Sequence, residues 1–133
     1  MEQNIYWGSL GFCYVPTDYN VRCTYTNGAW GELRVESKPT LEMHISAAVL
    51  HYAQECFEGL KAFRGKDGKV RIFRIEDNGR RMQDSCRGIK MPEFPLDKFK
   101  EAVIKVVKLN EKFIPPYETG ASLYIRPVLF GTT

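Results

Sequence analysis

Apolar residues recur along this chain with two different periods, and the changes of period mark out its elements. Asn20 to Tyr25 alternates and is rich in β-formers. Asn27-Gly28 follows, the strongest short signal for a two-residue hairpin turn. Ala29 to Val35 then reads as the return strand, with Trp30, Leu33 and Val35 as its apolar residues. Glu36-Ser37-Lys38-Pro39 breaks the pattern, and Thr40 to Ile45 alternates again with Leu41, Met43 and Ile45 on one side. Ser46 to Leu50 is small and apolar and predicts one helical turn. Cys56 to Arg64 and Lys69 to Arg74 form a second hairpin around Gly65 to Gly68. Val70 and Ile72 fall on one face of its return strand and Arg71 and Phe73 on the other, the two-sided pattern of a central strand. The period then lengthens. Glu76 to Gly88 reads as a helix that Asp77 or Asn78 caps and Gly88 ends. Leu96 to Phe113 is the clearest helix: Phe99, Ala102, Val103, Val106 and Val107 make an apolar stripe, and Pro115-Pro116 stops it. Ser122 to Phe130 alternates as a strand, and Pro127 within it predicts an edge position or a bulge.

Strands, helix, helix and strand in that order, joined by short turns, predict an α+β fold: a mainly antiparallel sheet with two helices packed on one side. Residues 1 to 19 are too interrupted by Gly8, Gly11 and Pro16 for a helix. They read as an extended arm that packs by its aromatics. With 133 residues the chain fits one domain. Its 44% hydrophobic and 13% aromatic content supports a real core.

Charge and cysteines narrow the function classes. A net charge of +3, from 19 Lys+Arg against 16 Asp+Glu, gives no concentrated basic face, so nucleic acid is disfavoured. The longest apolar runs fall far short of the ~18 residues of a membrane span. The opening Met1-Glu2-Gln3-Asn4 does not read as a signal peptide. Cys13, Cys23, Cys56 and Cys86 lack CxxC spacing, which points to free thiols in a reducing cytoplasm and to no metal site. His44 and His51 are read as structural, and no Walker loop, nucleophile elbow or GxGxxG occurs.

The candidate chemistry sits at a few positions. Arg81 lies in the first turns of the Glu76–Gly88 helix, where an arginine either faces solvent or adds a bidentate clamp to a phosphate. Asn78 either joins that anion site or caps the helix. Gly59, inside a strand, marks a ligand lying over the backbone or a tight packing contact. Arg126 shares a strand face with Tyr124 and must meet either an internal carboxylate or an anionic ligand. Lys61 reads as a strand lysine reaching solvent.

Four stretches resemble, in matching order, the branched-chain amino acid aminotransferases, fold-type IV pyridoxal-phosphate enzymes. They are Leu50-His51-Tyr52; Cys56-Phe57-Glu58-Gly59-Leu60-Lys61-Ala62-Phe63; Phe73-Arg74 with Asn78 and Arg80-Arg81-Met82; and Ser122-Leu123-Tyr124-Ile125-Arg126-Pro127-Val128-Leu129. Trp7 to Phe12 and Thr17-Asp18-Tyr19 look like that family's N-terminal arm. The resemblance implies pyridoxal 5'-phosphate as cofactor, with Arg81 on its phosphate. It implies substrate-binding roles for Phe12, Tyr52, Phe57, Gly59, Tyr124 and Arg126. The substrates implied are branched-chain amino acids, 2-oxo acids and glutamate. Tyr52 matches a residue given to a neighbouring subunit, which implies a homodimer.

The family continues into a second domain that carries the internal-aldimine lysine. Residues 1–133 therefore look like the small N-terminal domain, with no catalytic lysine of their own, and are expected to be inactive alone. The competing readings are a D-amino acid aminotransferase or an aminodeoxychorismate lyase of the same fold type, and a non-catalytic domain that binds a small anion or a partner.

Overall fold

The computed structural model describes residues 13–132, together with Trp7 and Gly11. The chain forms β1 (Asn20–Arg22), β2 (Tyr25–Thr26), β3 (Ala29–Trp30), β4 (Arg34–Glu36), α1 (Ala48–Tyr52), β5 (Glu55–Phe57), β6 (Leu60–Arg64), β7 (Val70–Ile72), α2 (Ile75–Gly88), α3 (Leu96–Leu109), β8 (Leu123–Ile125) and β9 (Val128–Phe130). Every strand pairing is antiparallel, so the α+β expectation holds. The strands form short ladders, however, not one continuous sheet: β1–β4, β2–β3, β5–β9, and β7–β6–β8.

The Asn27-Gly28 turn is as its sequence demands. Both residues have positive φ, 53° and 82°, the geometry whose twist matches the strands it joins. Trp30 leaves that hairpin and donates from Nε1 to the Glu93 carbonyl at 2.8 Å, while its ring meets Phe94 edge-on at 4.9 Å. The hairpin is thereby fixed to the loop between the two long helices.

One face of the central ladders is buried and the other open. Leu60 and Ala62 of β6, Cys56 of β5, Ile125 of β8 and Leu129 of β9 point inward. They meet Met82 and Cys86 of α2 and Phe99, Val103 and Val107 of α3 in one core. Gly79 lets α3 approach α2: a Cβ there would stand 3.0 Å from the Phe99 ring and closer still to Leu96. The alternate strand positions, Phe57, Lys61, Phe63, Tyr124 and Val128, are exposed on the opposite face. A period of two thus puts the apolar core under the helices and a mixed aromatic face on the outside.

Several expectations need correction. Thr40 to Ile45 forms no strand; Leu41 and Ile45 stay exposed, and alternation without a neighbouring strand to bond leaves the backbone irregular. β7 is an edge strand, not a central one: among the described residues it pairs with β6 alone, and Phe73, which made its pattern look two-sided, lies beyond its last residue and is open to solvent. The start of α2 is marked by Arg74 in the left-handed conformation at φ 55°, and neither Asp77 nor Asn78 caps it. The helix from Leu96 ends at Leu109, and Glu111–Phe113 continues as a 3-10 turn.

At the end of the arm, Asp18 and Tyr19 are held by hydrogen bonds, while Tyr6 and Phe12, two of the aromatics expected to pack, lie outside the described residues. Asn110, buried, accepts from the Asp18 and Tyr19 N–H groups at 3.1 Å and donates to the Tyr19 carbonyl at 3.0 Å. Tyr14 is exposed.

Candidate functional site

Two strands that sequence pattern alone would draw as continuous are each broken, and the breaks face one another. The Cys56–Arg64 stretch divides at Glu58-Gly59 into β5 and β6, and the Ser122–Phe130 stretch divides at Arg126-Pro127 into β8 and β9. Phe57 is opposite Val128 on one side of the break and Leu60 is opposite Ile125 on the other. Pro127 has no N–H to give to a ladder, and its carbonyl instead accepts from the Glu58 N–H at 2.9 Å. The proline stands between two edge strands, the edge alternative of its expectation; residues 58–59 face 126–127 two against two, so the break is an interruption of the ladder and not a bulge. The break also collects most of the candidate residues.

At this break Gly59 is needed for close approach. A Cβ there would lie on the Tyr124 hydroxyl and 2.9 Å from its Cζ. The group that stands over Gly59 is the chain's own tyrosine, so a tight packing contact is present at this position. The Tyr124 hydroxyl accepts from Arg126 Nη2 at 2.9 Å. The Arg126 guanidinium lies over the Phe57 ring, 4.3 Å from its centroid, and 5.2 Å from the Tyr124 centroid. Among the described residues no carboxylate pairs with Arg126, so its charge rests on two aromatic faces and a hydroxyl. Phe57, Gly59, Tyr124 and Arg126 form one continuous cluster.

Arg81 reaches the same break from α2. Its Nε donates to Glu58 Oε1 at 2.8 Å and its Nη2 to Oε2 at 2.6 Å. Asn78, one turn earlier, donates from Nδ2 to Glu58 Oε2 at 2.9 Å and to the Gly59 carbonyl at 3.3 Å. Glu58 is only 3% exposed, whereas the Arg81 side chain is 67% exposed. Burial pushes the Glu58 carboxyl up, but the Arg81 and Asn78 bonds and the arginine's charge outweigh it and hold the group below its ordinary value. The same bond to Glu58 raises the Arg81 guanidinium further. Asn78 thus serves neither as cap nor as free ligand; it braces the carboxylate that braces Arg81.

A shallow cleft of about 410 Å³ opens beside these groups. Gly59, Lys61, Phe63, Phe73, Asn78, Arg81 and Tyr124 are among its lining residues. Lys61 is exposed, as its strand position predicts. Tyr52, at the end of α1, is 83% exposed and does not line the cleft, and Phe12 lies outside the described residues. His51 Nε2 stands 2.7 Å from the Ile45 carbonyl and His44 Nδ1 2.7 Å from Ser46 Oγ, local contacts that fit structural roles. Among the described residues no group of three His, Cys, Asp or Glu is placed to hold a metal.

Glu58 is the residue that sequence reasoning passed over. A signal for it existed: it alternates with Phe57 and Gly59 at an inward strand position, where an acid must find a cation.

The donor set suits a phosphorylated aromatic cofactor. An arginine held at one edge offers its other edge to an anion, and Phe63, Phe73 and Tyr124 offer ring surface beside it.

The fold is that of a known class of enzymes. It matches a branched-chain amino acid aminotransferase of Escherichia coli with a TM-score of 0.63 at 26% identity, over 86% of this chain and 34% of that one. It matches the aminotransferase of Thermobaculum terrenum, solved in its PLP form, with a TM-score of 0.56 at 28% identity, over 71% of this chain and 29% of that one. No family model matches the sequence. Curated relatives do. The branched-chain-amino-acid aminotransferase of Helicobacter pylori is 43% identical over 129 residues, 97% of this chain and 38% of the relative. That of Haemophilus influenzae is 43% identical over 125 residues, 94% of this chain and 36% of the relative. The chain is thus related to the branched-chain amino acid aminotransferases along nearly its whole length, and spans somewhat over a third of the length of these two.

Proposed function

We propose that residues 1–133 are the small, cofactor-anchoring domain of a pyridoxal-phosphate-dependent branched-chain amino acid aminotransferase. The observation that carries this is the break between the β5–β9 and β6–β8 ladders, which gathers Phe57, Gly59, Tyr124 and Arg126 and ties Arg81 to them through Glu58. The Helicobacter pylori and Haemophilus influenzae relatives, both branched-chain-amino-acid aminotransferases, support it.

In this reading Arg81 binds the cofactor phosphate with the edge that Glu58 leaves free. Pyridoxal phosphate supplies the electron sink for bond breaking at the amino acid's α-carbon. Phe57, with Gly59 and the Tyr124 ring that lies over it, gives an apolar wall for a branched side chain. Arg126, resting on the Phe57 ring, is the cation for the side-chain carboxylate of glutamate or 2-oxoglutarate, with the Tyr124 hydroxyl holding its Nη2. One wall then serves two substrates: the ring is apolar, and the guanidinium beside it is available when a carboxylate arrives. Tyr52 is assigned to the pocket of a second subunit in a homodimer, which accords with its projecting exposure. The four free cysteines accord with the cytoplasm, and no helix among the described residues is long and apolar enough to cross a membrane.

No lysine of this chain is assigned to covalent attachment of the cofactor. The 133-residue chain is therefore expected to give no transamination, and the complete protein to convert leucine with 2-oxoglutarate. The test assays both with leucine, isoleucine, valine and D-alanine as amino donors. Turnover by the short chain, or a preference of the complete protein for D-alanine, would sink this reading.

A further inference from the structure

We propose that Glu58 is the positioning residue of the phosphate-binding arginine: it fixes one edge of the Arg81 guanidinium so that the other edge is presented to a phosphate monoester. The inference rests on the cleft being the cofactor site proposed above.

The geometry is specific. Arg81 spends Nε and one N–H of Nη2 on the two oxygens of Glu58, at 2.8 and 2.6 Å. A planar guanidinium has five N–H groups in a fixed fork, so the Nη1–Nη2 edge remains for a second oxyanion. Nη1 makes no bond among the described residues. Glu58 itself cannot drift. Its N–H is bonded to the Pro127 carbonyl at 2.9 Å, and its Oε2 takes Asn78 Nδ2 at 2.9 Å.

The arrangement is not explained by packing. Burying a carboxylate is unfavourable, and an apolar side chain at this inward position would fill the core with less desolvation. The carboxylate's partner, moreover, is 67% exposed, an arginine with four free torsions that solvent would otherwise leave disordered. A buried acid that holds an exposed arginine still makes sense if the arginine has a second client. Charge alone points the other way. Glu58 cancels the charge of Arg81, so a merely coulombic account has the carboxylate weakening the hold on phosphate, while positioning has it strengthening that hold.

The opposed signs make the test. The complete enzyme, stripped of cofactor, is titrated with pyridoxal 5'-phosphate and separately with pyridoxal, and binding is followed by absorbance. Glu58→Gln is expected to raise Kd for pyridoxal 5'-phosphate about tenfold, the size of one well-placed charge-assisted bond, and to leave Kd for pyridoxal within about twofold. In an Arg81→Ala background the same substitution is expected to change neither.

Tighter phosphate binding by Glu58→Gln overturns the inference, as does an equal loss in the Arg81→Ala background, which marks a purely structural role. An Arg81→Ala enzyme that still prefers the phosphorylated compound by the original ratio overturns the cofactor-site reading as well, and that result is distinguishable because it appears without any change at Glu58. Should Glu58→Gln fail to fold, Asn78→Ala reads the same ratio. It loosens the carboxylate and leaves Arg81 charged; a loss of about threefold is expected, and no loss overturns the proposal.

Discussion

At the scale of single residues, two positions at the break are constrained by different physics. Gly59 is constrained by volume. A methyl group there would meet the Tyr124 ring, so Gly59→Ala is expected to cost about 1–3 kcal/mol in urea unfolding, as overpacking does, and Tyr124→Ala in the same chain to recover part of it. A fully stable Gly59→Ala would show that the ring is free to move. Glu58 is constrained by charge. Its carboxyl is held below its ordinary value of 4.5, so its ionised form stabilises the fold above that pH, and the contribution is lost as pH falls through the depressed value. The stability advantage of the native protein over Glu58→Gln is therefore expected to be complete above the ordinary value and to shrink as pH falls through the depressed one; an advantage that grows on acidification would contradict the pairing. Arg81 and Arg126 were both visible in the sequence as arginines needing an explanation. Tyr124, two residues before Arg126, shares its strand face by simple alternation, whereas Glu58, 23 residues from Arg81, was joined to it only by folding.

At the scale of elements, the helical periods read correctly, while alternation misled at residues 40–45 and several boundaries moved. α2 ends at Gly88, as its glycine predicts, and both helices lay their apolar stripes on the sheet. The strands were shortened wherever a ladder partner was missing. β5 and α2 meet through Cys56 and Cys86, free thiols whose sulfurs share a weak hydrogen bond at 3.6 Å and form no disulfide. Burial, with Cys86 beside it, pushes the Cys56 thiol up to about 12. Such a thiol is inert at neutral pH. Ellman's reagent is expected to modify exposed Cys13 in the native protein and to reach Cys56 and Cys86 only on unfolding. Native-state labelling of Cys56 as fast as Cys13 would mean that the β5–α2 joint opens readily.

At the scale of the whole molecule, the β5–β9 and β7–β6–β8 ladders are covered by the helices on one face, and among the described residues their other face is open. Phe57, Phe63, Tyr124 and Val128 stand on the open face, with Phe73 and Tyr52 exposed elsewhere. So much apolar surface is more than a soluble monomer ordinarily shows. The 133-residue chain is expected to associate with rising concentration in sedimentation velocity, and Phe57→Ser with Val128→Thr to reduce that association. A sharp monomer at every concentration would argue that this face is stable in water as it stands.

The sequence by itself determined the α+β class, the Asn27-Gly28 hairpin, the two amphipathic helices and the family resemblance. Each of these depends on neighbours close in the chain or on the order of motifs. Only the tertiary structure decided where the long strands break, because a break at Glu58-Gly59 is set by Arg126-Pro127 across the ladder. It alone decided that Tyr124 lies over Gly59, and that the Arg81 fork is half occupied by a buried carboxylate. Those are contacts between segments far apart in sequence, and alternation along one strand carries no information about what the facing strand brings to it.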